Sequence, residues 1–392
     1  MIAWYTKTNS QFFTKNNITL IKSGSEYFTL LLDLINKATA SIHLQVYIIE
    51  NDETGMLVLE ALMAASKRKV QVFILADGYA SQSLPDTAIQ QLKDAGISFR
   101  FFAPILKSSN FYFGRRMHHK IFVADATHCL VGGINIGDRY NDTAGTKAWL
   151  DFALYAEGEV AQALCKFCMK KWERGNQKSS LANCEPNPHS KWSRKDISDI
   201  RIRRNDWVKN KNEISSTYIQ LLNTSQKEVV IFCSYFLPGM LIRKVFANTV
   251  KRGVKIKVVA AGMSDVPVSK YAERWLYDWL LRNGIELYEY QPSVLHAKIG
   301  VCDEEWLTIG SYNVNQISSH ASIELNLDVH NPVFVAGVKK QLLRIIDEDC
   351  IQVTLEEHLR TKNIFKQFAR WCAYQFIKIA FSIFTFYFRK QG

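Results

Sequence analysis

Residues 117 to 135 read MHHKIFVADATHCLVGGIN and residues 294 to 313 read VLHAKIGVCDEEWLTIGSYN, and these two stretches decide the fold. Aligned on one histidine each, both read His-x-Lys, four residues, Asp, six residues, Gly, two residues and Asn. A chance match at so many polar and glycine positions is improbable, so the chain contains an internal duplication. The matched residues are His118, Lys120, Asp125, Gly132 and Asn135, and His296, Lys298, Asp303, Gly310 and Asn313.

The alignment selects His118 over its neighbour His119, which must point to the opposite face of an extended segment. A period of two places the His and Lys of each motif on one face of a strand, so each copy presents an imidazole beside an ammonium. The glycine turn lets the backbone pass close to a ligand, and the Asn amide follows it. The remaining histidines singled out in the sequence are expected to be structural: His43, His119, His128 and His320.

The flanking segments repeat in the same order. SIHLQVYII, TGMLVLEALMAASKRK and VQVFILADG in the first half read as strand, helix and strand, and EVVIFCSYFLP, LIRKVFANTVKRG and VKIKVVAAG match them in the second. Alternating helix and strand signals with nearly unbroken apolar strands are typical of sheets covered by helices on both faces. The sequence therefore predicts an α/β protein with two similar halves.

Four segments follow from the composition along the chain. We predict a first domain over 1–178, a basic polar linker over 179–212, a second domain over 213–354 and a C-terminal helix over 355–392. The linker is rich in turn formers and carries eight Lys and Arg residues between 191 and 211. Those charges either belong to a solvated linker or meet lipid phosphates.

The doubled His-x-Lys-x4-Asp pattern resembles the phospholipase D superfamily. LVGGINIGDRY, QVYIIENDETG and YFLP resemble its bacterial cardiolipin synthase branch, and the likeness extends to about residue 350. The resemblance implies a pseudo-twofold pair of α/β/α domains that share one active site. It also implies an enzyme that forms a covalent phosphohistidine intermediate, with neither a metal nor another cofactor. The activity to expect is transfer of a phosphatidyl group between two phosphatidylglycerol molecules, which yields cardiolipin and glycerol.

Two-step exchange at phosphorus needs a nucleophile on one side and a proton donor for the leaving oxygen on the other, which explains why two motifs are present. By resemblance His118 is the nucleophile and His296 the general acid, although the residues themselves do not order the two roles. Lys120, Lys298, Asn135 and Asn313 would surround the non-bridging oxygens. The predicted catalytic motif residues are His118, Lys120, Asp125, His296, Lys298 and Asp303.

Supporting residues are expected around this set. Asp151 and Glu324 follow His118 and His296 by 33 and 28 residues, and they resemble acids that hold the imidazoles in the superfamily. Asp125 and Asp303 resemble aspartates that brace the structure rather than react. Arg115 and Arg116 would add positive charge at the mouth of the site. The supporting set is Asn135, Asn313, Asp151, Glu324, Gly132 and Gly310.

Other functions remain open at this point. Water as the acceptor would make the protein a hydrolytic phospholipase D, and the superfamily also includes phosphodiesterase nucleases. A binding module with a relic site is the nonenzymatic alternative, against which the two intact motifs argue. The net charge of +12 favours a polyanionic partner. The aromatic and basic C-terminal segment favours anionic phospholipid over nucleic acid, and the resemblance implies that this phospholipid is phosphatidylglycerol.

That C-terminal segment, NIFKQFARWCAYQFIKIAFSIFTFYFRKQG, has an uncharged run of only ten residues, Ile379 to Phe388. Lys366, Arg370 and Lys378 recur at helical spacing, as in a basic amphipathic helix that lies in the lipid headgroup layer. A helix packed on the second domain and a tilted membrane span are the alternatives. The N-terminus lacks the apolar core of a secretory signal, so we expect peripheral attachment at the cytoplasmic face of a bacterial cell membrane.

The chain has eight cysteines at irregular spacing, which does not indicate a disulfide framework. Cys165, Cys168, Cys184 and His189 could in principle bind zinc. The helical pattern of VAQALCKFCMKKWERG instead favours packing of the first two cysteines into a core. No metal is therefore expected.

Overall fold

The computed structural model describes residues 11–104, 115–143, 145–173, 184–185, 197–315, 318, 322–360 and 363–389. Within these residues each half of the chain builds a mixed sheet with helices packed on it. This architecture confirms the predicted duplicated α/β fold. His189 and His320, named above, lie outside the described residues.

The first sheet has seven strands in the order β1-β8-β7-β6-β2-β3-β4. The neighbours β2, β3 and β4 run parallel, and the strands from β6 to β1 pair antiparallel. Strand β2 is buried along its whole length, as expected of an apolar strand covered on both faces. The strands are β1 (Asn16–Lys22), β2 (Ser41–Val46), β3 (Gln71–Asp77), β4 (Ser98–Phe102), β6 (Lys120–Ala124), β7 (His128–Gly132) and β8 (Phe152–Gly158).

The second sheet repeats this arrangement with the order β10-β9-β16-β15-β14-β11-β12-β13-β17, and the short β5 pairs with β16. Here β11, β12 and β13 run parallel, and β14, β15 and β16 pair antiparallel. Its strands are β5 (Arg116–Met117), β9 (Asp199–Asp206), β10 (Lys211–Asn212), β11 (Glu228–Cys233), β12 (Lys255–Ala261), β13 (Glu286–Tyr290), β14 (Lys298–Cys302), β15 (Trp306–Gly310), β16 (Ser322–His330) and β17 (Cys350–Val353).

Helices complete both halves. In the first they are α1 (Ser25–Lys37), α2 (Glu53–Lys67), α3 (Asp86–Asp94) and α4 (Glu159–Glu173). In the second they are α5 (Glu213–Thr224), α6 (Met240–Lys251), α7 (Pro267–Arg282), α8 (Pro332–Asp349), α9 (Leu355–Arg360) and α10 (Ile364–Arg389).

A hydrophobic core continues from one half into the other. Val131 and Leu154 of the first sheet belong to the same buried cluster as Ile309 and Leu327 of the second, with side chains of α4 and α8 added. The outer face of each sheet packs separately against its own helices. The shared apolar cluster fixes the two motif hairpins against each other, because closely packed interiors resist sliding.

The two motif aspartates organise equivalent turns. Asp125 and Asp303 follow β6 and β14 with positive φ angles of 50° and 51°, a conformation that Asp adopts more readily than most residues. Each carboxylate accepts hydrogen bonds from three successive backbone N–H groups, those of residues 39–41 at the start of β2 and those of residues 226–228 at the start of β11. Both aspartates therefore tie strands together away from the histidines.

Part of the segment predicted to be a linker forms a strand. Strand β9 lies inside the range 179–212 and pairs with β16 over seven residues, from Asn205 opposite Glu324 to Asp199 opposite His330. The alternation IRIRR places Arg201 and Arg203 in a buried cluster with Asp328, so these charges are not solvated. We propose that the second domain begins with β9 rather than at residue 213.

Cysteine packing follows the sequence interpretation in part. Cys165 and Cys168 both lie buried on the inner face of α4, as the helical pattern predicts. Cys165 also forms a disulfide with Cys184, which the irregular spacing does not predict. Tertiary structure alone brings these two residues together, since 19 positions separate them in the chain.

The C-terminal segment forms one long helix, α10, and it packs on α7. Ala373, Tyr374 and Ile377 contact Leu237, Ala272, Trp275 and Leu276. The opposite side is apolar and open: Ile364 and Phe365 are 79% and 81% exposed. Among the described residues no helix has the length and apolarity that a membrane crossing requires.

Candidate active site

The catalytic candidates lie where the halves meet, and their backbones cross from one half to the other. His118 follows β5, and its N–H donates to the carbonyl of Ile323 at the start of β16. His296 precedes β14, and its N–H donates to the carbonyl of Leu150, just before β8. The acceptor residues Ile323 and Leu150 immediately precede Glu324 and Asp151. Each histidine is therefore held close to an acid of the other half.

The side chains pair in the same crosswise manner. Nδ1 of His118 lies 2.9 Å from Oε2 of Glu324, and Nδ1 of His296 lies 2.6 Å from Oδ2 of Asp151. Chain order would suggest that each acid serves the histidine upstream of it in its own half. The structure shows the reverse, because the strand that carries each acid extends toward the partner half. The hydrogen bonds of both rings to described residues involve Nδ1, so each Nε2 is available for chemistry.

The motif lysines lie behind the histidines and are buried. Lys120 Nζ donates to the carbonyl of His118 at 2.9 Å, and Lys298 Nζ donates to the carbonyl of His296. Lys298 also lies 3.9 Å from Oδ2 of Asp151. These contacts fix the backbone at each histidine and place two lysines next to the site. Burial lowers the pKa of both ammonium groups, that of Lys120 well below its ordinary value, and Asp151 and Glu324 oppose this shift.

A cavity of about 570 Å³, called here the central cavity, joins the two histidines. It is open to the surface, and its lining is mostly apolar with polar groups of both motifs among it. Arg116 lines it as expected and forms an ion pair with Asp77, whereas Arg115 pairs with Asp206 elsewhere. The residues used below that line it are His118, His296, Asn135, Asn313, Glu324, Tyr47, Tyr140, Leu237, Val266, Val268, Phe376 and Ile377.

The pair of His118 and Glu324 favours an ionised carboxylate. Burial raises the pKa of Glu324, but His118, Lys120 and the Ser311 hydroxyl outweigh burial and leave this pKa below its usual value. Burial lowers the pKa of His118, which Glu324 partly opposes. A neutral His118 whose Nδ1–H donates to the carboxylate keeps a lone pair on Nε2.

The pair of His296 and Asp151 is electrostatically different. Burial raises the pKa of Asp151 to about 7, although Lys298 and the backbone N–H of Phe152 oppose the rise. Burial, and then Lys298 and Lys120, lower the pKa of His296 well below its ordinary value. The pair therefore holds one shared proton up to about neutral pH, and the titration belongs to the pair rather than to either residue.

The motif asparagines reach the central cavity from equivalent positions after β7 and β15. Asn135 is fixed on both sides, since Oδ1 accepts from the N–H of Ile48 and Nδ2 donates to the hydroxyl of Tyr140. Tyr140 in turn packs edge-on against His296 at 5.2 Å between ring centres. Asp125 and Asp303, counted above among the catalytic motif residues, are instead the turn braces already described.

The motif glycines permit close contact between neighbouring strands. A Cβ on Gly132 would lie 2.3 Å from the carbonyl oxygen of Phe152, and one on Gly310 would lie 2.3 Å from that of Leu325. At the next position, a Cβ on Gly133 would meet Oδ2 of Asp151 at 2.3 Å. Side chains at these positions would displace the strands that carry the two acids.

Two serines that the sequence reasoning missed hold Glu324. Oγ of Ser311 donates to Oε2 at 2.5 Å, and Oγ of Ser322 donates to Oε1 at 2.6 Å. Ser311 occupies the position in the second motif that Gly133 occupies in the first. The available sequence signal was that the first motif reads Gly-Gly where the second reads Gly-Ser. This difference matches the different protonation of Asp151 and Glu324.

Two α/β halves that join at one histidine-lined cavity, with a duplicated His-x-Lys-x4-Asp motif, define an enzyme of the phospholipase D superfamily. The family model described as "Cardiolipin synthase, PLD-like domain" matches residues 31–147 and 218–346. The chain belongs to this family.

Relatives and solved structures agree with this assignment. Cardiolipin synthase B of Salmonella typhi is 31% identical over 353 residues, which are 86% of this chain and 82% of that protein. Cardiolipin synthase B of Escherichia coli K12 is 30% identical over 351 residues, with the same coverage of 86% and 82%. The crystal structure of phosphatidylserine synthase from Haemophilus influenzae superimposes with a TM-score of 0.75 at 14% identity, covering 98% of this chain and 99% of that one, which shows the shared fold.

Proposed function

We propose that this enzyme is a phosphatidyltransferase that joins two phosphatidylglycerol molecules into cardiolipin and releases glycerol. The crosswise pairing of His118 with Glu324 and of His296 with Asp151 carries the proposal, because it sets two imidazoles, each held by an acid of the other half, on one cavity. Support comes also from the relatives named cardiolipin synthase. Membership of the family implies phospholipid substrates, and phosphatidylglycerol is the specific proposal.

In the first step Nε2 of His118 attacks the phosphorus of a phosphatidylglycerol. A P–N bond forms, the P–O bond to the glycerol headgroup breaks, and His296 gives its proton to the leaving oxygen. The ionised Glu324 stabilises the positive charge that develops on the attacked ring through its Nδ1–H. Glycerol leaves, and the phosphatidyl group stays on His118.

In the second step the free hydroxyl of another phosphatidylglycerol reaches the same phosphorus. His296, now without its proton, takes the hydroxyl proton as the new P–O bond forms and the P–N bond breaks. The product is a diester between two lipids, and both histidines return to their starting states. The proton capacity of the His296 and Asp151 pair near neutral pH suits a group that must donate and then accept.

Fixed positive charge and amide groups offset the negative charge of the phosphate. Lys120 and Lys298 lie directly behind the histidines, and Asn135 and Asn313 line the cavity from both sides. Groups that are already oriented toward a developing charge cost no reorganisation during the reaction. We therefore assign to these four residues the stabilisation of the phosphorus-bound oxygens.

The wall of the central cavity favours a lipid over a nucleic acid. Leu237, Val266 and Val268 line it from the second half, and Phe376 and Ile377 of α10 complete it. Acyl chains bury apolar surface against such groups, whereas the sugars and bases of DNA would gain little. An apolar wall also disfavours water as the acceptor, which is what separates transfer from hydrolysis.

Helix α10 supplies a site for peripheral membrane attachment. Its outer side carries Ile364, Phe365, Phe368 and Trp371, all exposed, while its inner side packs on α7. A contiguous apolar surface of this kind, flanked by Lys366 and other basic residues, suits the headgroup layer of an anionic bilayer. We propose that the enzyme binds the cytoplasmic face of the cell membrane through this surface, with the cavity mouth toward the lipids.

The reaction is tested by expressing the protein in a bacterium that lacks its own cardiolipin synthases, followed by lipid mass spectrometry. We expect cardiolipin from the unchanged chain and none from His118→Ala or His296→Ala at equal expression. Accumulation of phosphatidic acid without cardiolipin would instead identify a hydrolase. Cleavage of DNA by the purified protein, absent in His118→Ala, would identify a nuclease and contradict the proposal.

The attachment surface is tested with vesicles containing phosphatidylglycerol. Ile364→Ser, Phe365→Ser and Phe368→Ser combined remove three exposed apolar side chains, each worth ~1–2 kcal/mol when partly buried, so binding should weaken by at least two powers of ten. Val333→Ser changes an apolar residue that is 84% exposed on α8 and serves as the control. Equal vesicle binding by the triple variant would place the attachment elsewhere.

A further inference from the structure

A second cavity, of about 180 Å³, lies behind the catalytic segments; we call it the rear cavity. It is lined by His119 and Ile323, whose chain neighbours His118 and Glu324 line the central cavity. Successive residues of an extended segment point to opposite sides, which explains the arrangement. The rear cavity is therefore separated from the catalytic pair only by the backbone of the two segments.

Cations dominate the lining of the rear cavity. Lys170 and Lys171 come from the end of α4, Arg204 from β9, and Lys209 and Lys211 from the turn and strand after it. Among the described residues of the lining the one acid is Asp206, which lies 2.8 Å from Arg115 and 3.8 Å from Lys209. Glu213 nearby lies 3.5 Å from Arg204 and 3.6 Å from Lys211. Within the described part of the chain two carboxylates cannot neutralise this number of cations, so the cavity carries a positive excess.

Two buried nitrogen atoms at the cavity have no partner within the described part of the chain. These are Nε2 of His119 and Nε of Arg204. The other ring nitrogen of His119 is engaged, with Nδ1 3.2 Å from Oε1 of Gln45. Buried polar atoms are nearly always hydrogen-bonded, and leaving one unpaired costs about 1–3 kcal/mol. Unpaired nitrogen atoms among excess cations indicate a missing acceptor with negative charge.

The electrostatic surroundings of His119 also indicate a missing anion. Burial lowers the pKa of His119 well below its ordinary value, and Lys171 and Lys120 lower it further. A bound oxyanion would offset these lysines and let the ring take up a proton. The protonated ring would then donate from Nε2 to the anion.

We propose that the rear cavity is a binding site for a phosphate monoester group or for free phosphate, held between the two halves of the enzyme. A small, multiply charged oxyanion has enough acceptors for lysines from α4 on one side and for Arg204 and Lys211 on the other. Ligand binding would link α4 of the first half to β9 of the second. The site is distinct from the catalytic centre, and the proposal does not depend on the reaction assigned above.

Calorimetric titration of the full-length protein with inorganic phosphate tests the proposal. Lys170→Gln with Lys211→Gln removes one cation from each side of the rear cavity and should weaken binding there roughly tenfold or more. The matched control is Lys251→Gln with Lys255→Gln, which removes two exposed lysines near β12, on the far side of the second sheet. The control pair should change the affinity less than twofold, and thermal melts verify that both proteins are folded.

Phosphate can also enter the central cavity, so a separate experiment must show where the anion binds. In crystals soaked with tungstate, an anomalous peak between Lys170 and Lys211 should appear in the wild type and disappear in the double variant. A peak confined to the central cavity, or unchanged phosphate affinity in the double variant, would overturn the proposal. Neither readout requires the enzyme to be active, so failure of the proposed reaction leaves this test intact.

Two further measurements distinguish the source of the phosphate. Vesicles of phosphatidylcholine with phosphatidic acid offer the group on a lipid, and glycerol 1-phosphate offers it in solution. Weaker vesicle binding by the double variant than by the control pair identifies a lipid headgroup as the ligand. Weaker binding of glycerol 1-phosphate with unchanged vesicle binding identifies a soluble phosphate. If the double variant matches the control pair with both probes but binds inorganic phosphate more weakly, the ligand is free phosphate. If it also matches the control pair with inorganic phosphate, the site does not exist.

Discussion

Glu324→Gln is the most informative change at the active site, because it tests the crosswise pairing directly. In the structure Glu324 lies in the second half but contacts His118 of the first, 2.9 Å away. Glutamine keeps the size of the side chain and one acceptor for Nδ1–H, and it removes the charge. We expect slower formation of the phosphohistidine with the fold retained.

The size of the effect follows from two contributions. A charge-assisted hydrogen bond is worth about 1.5–3 kcal/mol and a neutral one about half of that, so about 1–2 kcal/mol is lost from the bond. Two unit charges 4 Å apart interact by about 4 kcal/mol at an effective dielectric of 20, and desolvation offsets part of this in the ground state. A total of about 2–4 kcal/mol corresponds to a rate roughly 30 to 1000 times lower.

The assay uses a soluble short-chain phosphodiester with a p-nitrophenolate leaving group, which needs no general acid. With this substrate His296→Ala and Asp151→Asn should release a burst of nitrophenolate and then retain the phosphoenzyme. His118→Ala should give no burst, and Glu324→Gln a slow one. The double variant His118→Ala/Glu324→Gln should be no worse than His118→Ala, since both changes affect the same step.

A matched control separates catalysis from folding. Asp328→Asn removes another buried carboxylate of the same strand, where it pairs with Arg201 at 2.8 Å, away from the central cavity. It should lower the melting temperature and leave the burst rate per folded molecule unchanged. If Glu324→Gln instead retained the phosphoenzyme as His296→Ala does, the crosswise pairing would be refuted.

Three other predictions follow from the same structure. The rate of phosphoenzyme formation from a lipid substrate should fall as the pH rises through about 7, because the pair of His296 and Asp151 loses its shared proton there. Asp151→Asn should move the midpoint of this pH dependence. An unmoved midpoint excludes the pair as its origin. Three backbone N–H groups outweigh burial and lower the pKa of Asp303, so its contribution to stability is present above the unfolded pKa and lost as the pH falls through the folded one. Asp303→Asn should therefore cost ~1–3 kcal/mol in denaturant unfolding at neutral pH and progressively less below about pH 4, and a cost that does not depend on pH would contradict this account. EDTA should leave turnover of the purified enzyme unchanged, since lysines and asparagines are assigned to the phosphate oxygens; loss that zinc or magnesium restores would contradict the mechanism.

The duplicated motif was readable from the sequence because its spacing reflects local geometry. His-x-Lys places an imidazole and an ammonium within two residues, and the following Asp, Gly and Asn serve a turn and the next strand. Such short-range relations depend on the residue periods of strands and helices, which can be read directly from the sequence. The order of strands and helices was readable for the same reason, and so was the choice of His118 over His119.

The partners of the histidines were not readable in this way. Asp151 and Glu324 were identified as the acids, but the sequence did not state which histidine each of them contacts. Packing of the two sheets on one shared cluster brings the start of β16 beside His118 and the start of β8 beside His296, so each acid crosses to the other half. Contacts between distant segments depend on which surfaces pack, and no local pattern encodes that choice.

The same reason accounts for the other differences. Arg201 and Arg203 belong to the segment whose charges were predicted to be solvated or to meet lipid phosphates. Pairing of β9 with β16 instead places both beside Asp328. The apolar C-terminal pattern predicted helix α10 but left its inner side undetermined, and contact with α7 decided it. The sequence by itself determined the duplication, the catalytic residue types and the element order, which follow from local periods. Only the tertiary structure decided which half supplies the partner of each histidine, because that depends on how two buried apolar surfaces pack together.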